Sequence, residues 1–374
     1  MSFPRPLLFL IFCFVQLHLA GCASVHYSPG ELESSDKRLV FGKILLVRDG
    51  EEDVLSPLGT QISLGGLEST AEPLMVLESF EKDGSFHWLL SPGRYVLTMG
   101  LNPPTGDIVT CAFTVPEEPK ACYFGELRMV GRKYFNTFSS ANIRDVRTRI
   151  TDRFDAAAAE LLRLEPGLDI SDIGRIRVAD ISTPELRRDF FRAHLDAVPE
   201  GCGTFSQMSM ERLVPGKTFS GKINGERGTF RFAEGKSYYA AFVLPDGART
   251  VSIESSPFLS GIMDKLRIFA PAALLLDESF FPVARIESVL APVPARLLPP
   301  KPAHLAGSID LTQLEYRARY LILFTTEDLL RGARYGSRPG FVSIPGGAML
   351  TGLSVPVGLD AWITGEISVE VTNP

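Results

Sequence analysis

"DGSFHWLLSPGRYVLTMG", residues 83–100, decides how the chain is read. Phe86, Trp88 and Leu90 recur at every second position and so share one face of a strand. After Pro92-Gly93 the alternation resumes with Tyr95, Leu97 and Met99. Two such runs flanking a proline-glycine turn predict a β-hairpin on one side of a sandwich. His87, out of step with Phe86 and Trp88, is expected on the solvent face.

The same strand-like pattern extends from Arg38 to Arg132 through "LVFGKILLV", "IVTCAFTV" and "ACYFGELRMV". With its D-G turn, aromatic strand and L-x-P-G-x-Y corner, "DGSFHWLLSPGRYVL" resembles the carboxypeptidase-regulatory-like and transthyretin-like modules, and the resemblance implies a structural role. Within "CAFTVPEEPKAC" (111–122), the turn Pro116-Glu117-Glu118-Pro119 suggests a second hairpin. Pairing Thr114 with Pro119 sets Cys111 opposite Cys122, close enough for a disulfide, the alternative being two unpaired thiols. Closing that loop in an oxidising compartment would contribute on the order of 3 kcal/mol.

Residues 137–200 read as a helical connector. Ile143, Val146, Ile150, Phe154, Ala157 and Leu161 fall at steps of three and four, which predicts one apolar helix face ended by Pro166-Gly167. Arg144, Arg147, Arg149 and Arg153, interleaved with acids, would form the solvated face. A shorter helix is predicted over Pro184–Ala197. Beyond it alternation returns: Phe230 and Phe232, then Tyr238 to Leu244 before Pro245-Asp246-Gly247, and finally Ile367, Val369 and Val371. The expected fold is mainly β, with antiparallel β-sandwich domains at 38–133 and 201–374, the second jelly-roll-like, joined by the helical connector.

At the N-terminus, Arg5 precedes the nine-residue apolar run "LLFLIFCFV" and then "HLAGC". This is the layout of a secretory signal over residues 1–21. Nine residues rise only about 14 Å as a helix, too short for a membrane span. Leu19-Ala20-Gly21-Cys22 resembles the lipobox of bacterial lipoproteins, which implies diacylation of the Cys22 thiol, cleavage before it and acylation of the new terminus. Ala23 and Ser24, in place of an aspartate, imply sorting to the outer membrane of a Gram-negative cell, facing the periplasm. Residues 22–37, polar and aperiodic, are expected to form a flexible tether. The first partner implied is thus the membrane, through the lipid anchor. Removing 1–21 takes away Arg5 alone, leaving a formal net charge of −7, which argues against nucleic acid as a partner.

Catalytic chemistry finds little support. His26, His87, His194 and His304 share no metal-ligand spacing, so no metal site is expected. Gly216-Lys217-Thr218 lacks the preceding glycine of a phosphate loop, since Glu211 stands there. Neither a G-x-S-x-G elbow nor a C-x-x-C occurs, and the expectation is a protein with no cofactor and no catalytic residues.

"IFAPAALLLDESFFPV" (268–283), "RYLILFTTEDLL" (319–330) and the terminal "TGEISVEV" follow one another in an order that resembles the maltose operon periplasmic protein (MalM) family over about residues 205–374. Phe269, Ala270, Pro271, Leu276 and Asp277, then Phe324, Thr325, Thr326 and Glu327, then Thr364 and Gly365, carry the resemblance. It implies a periplasmic location and an association with maltose or maltodextrin binding or transport, and it supplies no catalytic residue. Candidate sugar contacts are Arg334, Tyr335 and Arg338 in the Gly-rich "LLRGARYGSRPGF", with Tyr238, Tyr239, Phe280, Phe281 and Trp362 as possible stacking rings. Two functions remain open: a non-catalytic carbohydrate accessory protein, or an envelope adaptor that binds no sugar.

Overall fold

Residues 27–28, 30, 32, 35–53, 60–68, 74–76, 80–101, 108–133, 143–257, 265–287, 289–294, 301, 303–331, 333–343 and 349–372 are described by the computed structural model, with backbone alone over 333–359. The signal segment 1–21, the lipobox and Cys22 lie outside the described residues. Among the described residues no helix is long and apolar enough to cross a membrane.

The first unit contains β1 (Arg38–Arg48), β2 (Glu51–Asp53), β3 (Thr60–Gly66), β4 (Leu74–Met75), β5 (Ser85–Leu90), β6 (Gly93–Leu101), β7 (Ile108–Val115), β8 (Ala121–Lys133), β9 (Ile143–Thr151), helix α1 (Phe154–Leu164), β10 (Ile173–Arg175) and β11 (Val178–Asp180). One sheet runs β10-β8-β1-β2, with β5 also on β1 and β9 on β8; the facing sheet runs β11-β7-β6-β3-β4. Antiparallel pairing dominates, yet β1 and β10 both lie parallel to β8.

The core between these sheets explains the 83–100 stretch and also corrects it. Phe86, Trp88 and Leu90 point inward, as do Leu97 and Met99, and the Phe86 and Trp88 rings stack at 3.9 Å. Each such side chain contributes about 1.5–3 kcal/mol by leaving water. However, β5 belongs to one sheet and β6 to the other, so Pro92-Gly93 is a corner between sheets and not a hairpin turn. The Tyr95 hydroxyl braces it by donating to the Ser91 carbonyl at 2.8 Å. At the stretch's start, Gly84 has φ +86° and a Cβ there would sit 2.4 Å from the Ile44 carbonyl oxygen, so only glycine fits that turn.

The same correction undoes the expected disulfide. β7 and β8 also lie in opposite sheets: Cys111 pairs with Leu97 and Asp180, while Cys122 pairs with Val40 and Gly174. Both are buried free thiols. Burial raises the Cys111 thiol well above its ordinary range, with the charge of Asp180 adding to it, and burial pushes Cys122 up to about 11, so neither is poised to react.

The helical connector dissolves in part. Residues 143–151 form strand β9 on β8, and of the first predicted helix 154–164 are helical. A bulge places two residues of β9, Asp145 and Val146, against Gly131 of β8, with Asp145 at φ +55°. The extra residue turns Ile143 and Val146 toward the same core at a step of three, which imitates a helical period. With β9, α1, β10 and β11 in the first unit, that unit extends to Asp180. Helix α2 (Pro184–Ala197) has the expected bounds and is capped by Thr183 Oγ1, which accepts from Leu186 N at 3.3 Å.

The expected tether is partly docked. Tyr27 and Leu32 are 6% and 5% exposed, packed with Leu39, Phe41, Tyr123, Phe154 and Leu161 between the first sheet's outer face and α1. Gly30 N donates to Glu165 Oε1 at 3.2 Å. Consequently His87 does point away from the sandwich core, but Tyr27 lies beside it at 6.3 Å and it is only half-exposed.

After α2 the second unit contains β12 (Met210–Arg212), β13 (Phe219–Ile223), β14 (Thr229–Phe232), β15 (Gly235–Val243), β16 (Thr250–Ser256), β17 (Lys265–Phe269), β18 (Ala272–Leu276), β19 (Pro282–Ile286), β20 (Ala291–Val293), β21 (His304–Asp310), β22 (Tyr320–Phe324), helix α3 (Glu327–Arg331), β23 (Ala333–Ser343), β24 (Met349–Trp362) and β25 (Gly365–Thr372). Its sheets run β12-β15-β22-β18-β19, with β14 on β15, and β13-β25-β16-β21-β20; β17-β24-β23 forms a smaller third. Here too a turn signal, Pro245-Asp246-Gly247, joins strands of different sheets.

The two units do not keep separate cores. Along β6 and β7, Leu97, Met99, Cys111 and Phe113 face their own sandwich, whereas Val96 and Ala112, opposite in parity, join the second unit's core together with Leu67. Alternation therefore loads both faces of that sheet, one for each core.

Candidate functional site

Of the residues carrying the family resemblance, most do structural work. A Cβ on Gly365 would lie 2.6 Å from Phe269 Cβ, so the glycine lets β25 close on β17. Asp277 Oδ1 accepts from Ser279 N at 2.8 Å and Phe281 N at 2.9 Å, building the turn between β18 and β19. Thr364 is fully buried.

The segment Phe324-Thr325-Thr326-Glu327 is different, because it ends a buried strand at a cleft. Phe324 closes β22 and stacks on Phe232 at 3.8 Å. Thr326 Oγ1 accepts from Leu329 N at 3.3 Å and starts α3. Glu327 then pairs with Arg192 of α2 in a fork of two bonds, and this carboxylate raises the guanidinium further above its usual range. Between α2, α3 and the β14–β15 turn lies a cavity of about 90 Å³, lined among others by Arg188, Arg192, Glu234, Lys236, Thr325 and Glu327. The cation Lys236 is held at its edge, donating to the carbonyls of Asp196 and Val198.

Thr325 is the anomaly. Its backbone N donates to Ser237 Oγ at 3.1 Å, but its own Oγ1 is buried with no hydrogen-bond partner, the residue being 5% exposed. A hydroxyl left so costs about 1–3 kcal/mol relative to a satisfied one. The hydroxyl lies behind the cleft surface, whose own rim of carboxylates and cations suits a neutral, hydroxyl-rich ligand edge that can donate and accept at once. Among the described residues no group of three or more His, Cys, Asp or Glu is placed to hold a metal ion.

The sugar contacts expected from sequence are dispersed. Arg334, Tyr335 and Arg338 belong to β23, not to a Gly-rich loop, and pair with Leu359, Gly358 and Val355 of β24; their side chains lie outside the described residues. Tyr238, Tyr239 and Trp362 are core residues at 0%, 2% and 1% exposure. Phe280 stacks on Tyr320 at 4.4 Å, and Phe281 stands exposed at the hairpin tip.

Residues 234–335 match the MalM family, described as maltose operon periplasmic protein precursor. The match takes in β15 through the start of β23, hence the whole Phe324–Glu327 segment and the Glu234-Gly235-Lys236 side of the cleft. No curated protein and no solved structure matches the chain. The α2 side of the cleft, Arg188 and Arg192, lies outside the MalM match.

A polar cluster missed in the sequence lies where the units meet. His194 Nε2 donates to Glu68 Oε1 at 2.9 Å, the Tyr238 hydroxyl donates to the same oxygen, and Arg94 lies 3.2 Å away. These partners come from β6, α2, β15 and the end of the β3 segment, and separations of 126 and 170 residues hide them from any local pattern. The hydrogen bond from His194 chiefly holds the Glu68 carboxyl down at about 2, against the opposing pull of burial and with further help from Tyr238 and Arg94. Since this pKa lies below that of a carboxyl in the unfolded chain, the ionised group stabilises the fold at neutral pH. That stability, on the order of 2–3 kcal/mol, should vanish as pH falls from about 4.5 toward 2. Urea titrations at stepped pH should show the loss, and Glu68→Gln should flatten it; an unchanged acid limb in that variant would contradict the assignment.

Proposed function

We propose that the protein is a lipid-anchored, non-catalytic accessory of the bacterial envelope, held through Cys22 on the periplasmic side of the outer membrane and engaged in maltodextrin binding or transport. The MalM match over 234–335 supports the compartment and the substrate class. The polar rim of the cleft, Glu234, Lys236 and Glu327 inside that match with Arg192 beside it, is the observation that carries a ligand site. A cavity of about 90 Å³ takes the hydroxyl-bearing edge of one sugar ring, not a whole oligosaccharide.

Calorimetric titration of the chain with linear maltodextrins tests this reading through two substitutions. Glu327→Gln, on the cleft rim, should weaken maltodextrin binding at least tenfold, while Thr325→Val, which removes a buried unpartnered hydroxyl, should raise stability by about 1 kcal/mol and leave binding unchanged. An absence of binding at millimolar sugar would defeat the proposal. The second reading, an adaptor without a sugar ligand, would then gain from Phe281 and Tyr316, which stand 69% and 62% exposed on the second unit.

A further inference from the structure

The docked N-terminal segment places a limit on where the membrane lies. Cys22 precedes Tyr27 by five residues, and five residues span at most about 18 Å even when fully extended. Tyr27 is wedged under α1, and three residues on Gly30 is bonded to Glu165, immediately after that helix. An acyl group on Cys22 would keep Tyr27 within about 18 Å of the bilayer surface.

The end of α1 carries an apolar wedge. Leu164 and Ile170 are 47% and 52% exposed, and Pro166 and Gly167 between them are exposed as well. The turn is stiff: Leu168 packs into the cluster beneath α1, its N donates to the Glu165 carbonyl at 3.1 Å, and Asp169 and Asp172 form a reciprocal capping box. Glu165 itself is buried by its bond to Gly30, so the interaction that docks the N-terminal segment also removes the carboxylate from the wedge surface. Two large apolar side chains held outward on a fixed turn match the interfacial layer of a bilayer, where apolar groups enter below the headgroups.

We infer that the turn Leu164–Ile170 is the protein's membrane contact, inserting into the leaflet that carries the Cys22 acyl chains and setting the orientation of the first sandwich. This rests on the acylation of Cys22 proposed above. The test reconstitutes the acylated full-length protein in vesicles of phosphatidylethanolamine and phosphatidylglycerol, with or without bromine on the acyl chains. Leu164→Trp and Ile170→Trp should each add fluorescence that brominated lipid quenches, while Phe281→Trp, on the second unit, should add fluorescence that it does not. Protein that floats with the vesicles yet shows no quenching at 164 and 170 overturns the contact and leaves the anchor standing. Protein that fails to float overturns both.

Discussion

Trp362→Ala should cost about 3–5 kcal/mol and split the unfolding of the chain into two steps. The indole is 1% exposed and belongs to the second unit, but its Nε1 donates across the junction to the Leu67 carbonyl at 3.1 Å. Phe191 of α2 meets it edge-on at 4.7 Å, and the Arg267 guanidinium lies 4.3 Å over its face. Alanine would leave a large cavity where the segment after β3, α2, β17 and β24 converge, and also an unpaired buried carbonyl. In urea, far-ultraviolet dichroism should follow both units while the remaining Trp88 reports on the first alone. Coincident transitions and a loss under about 1 kcal/mol would show that the junction is not where the units are coupled.

Asp360→Asn should be nearly as damaging, by a different route. Arg187 and Arg267 are 4% and 7% exposed; the Asp360 carboxylate lies 3.1 Å from Arg187, and Asp360 is the register neighbour of Arg267 across the parallel strands β24 and β17. Burial, and next the charge of Arg187, already hold the Arg267 guanidinium down at about 9, while Asp360 works in the opposite direction. Further support comes from Thr98 Oγ1, which accepts from Arg267 Nη2 at 2.7 Å. Neutralising the carboxylate leaves two buried cations facing each other, a loss of about 3–5 kcal/mol by denaturant titration. Adding Arg187→Met to Asp360→Asn should restore most of it. A double variant no more stable than Asp360→Asn alone would refute the electrostatic explanation.

The sequence revealed which way side chains point better than which strands pair. Phe86, Trp88, Leu97 and Met99 were all legible as inward residues, because alternation reports the buried face directly. Pairing was not legible: in a sandwich both sheets aim their apolar faces at one core, so a strand of either sheet shows the same alternation. Pro92-Gly93 and Pro116-Glu117-Glu118-Pro119 have the look of hairpin turns, but each, like the turn Pro245-Asp246-Gly247, carries the chain across to the other sheet. The false disulfide followed from one of these. In β9 a bulge shifted the parity and produced a helical step in a strand. For the candidate site, Phe324–Glu327 stood out through its resemblance, but its partner Arg192 lies 135 residues away on α2 and has no local signature.

The pairing of β25 has a kinetic meaning. This strand, Gly365–Thr372, lies between β13 and β16, so the second unit's five-stranded sheet lacks an interior member until residues 365–372 are available. Trp362, equally late, supplies the hydrogen bond to Leu67, 295 residues earlier. Such long-range closures slow folding, and here they forbid its completion on a partly synthesised chain. The core of the first sandwich is complete by Val178, so it is the second unit that should stay open until residues 362–372 join it.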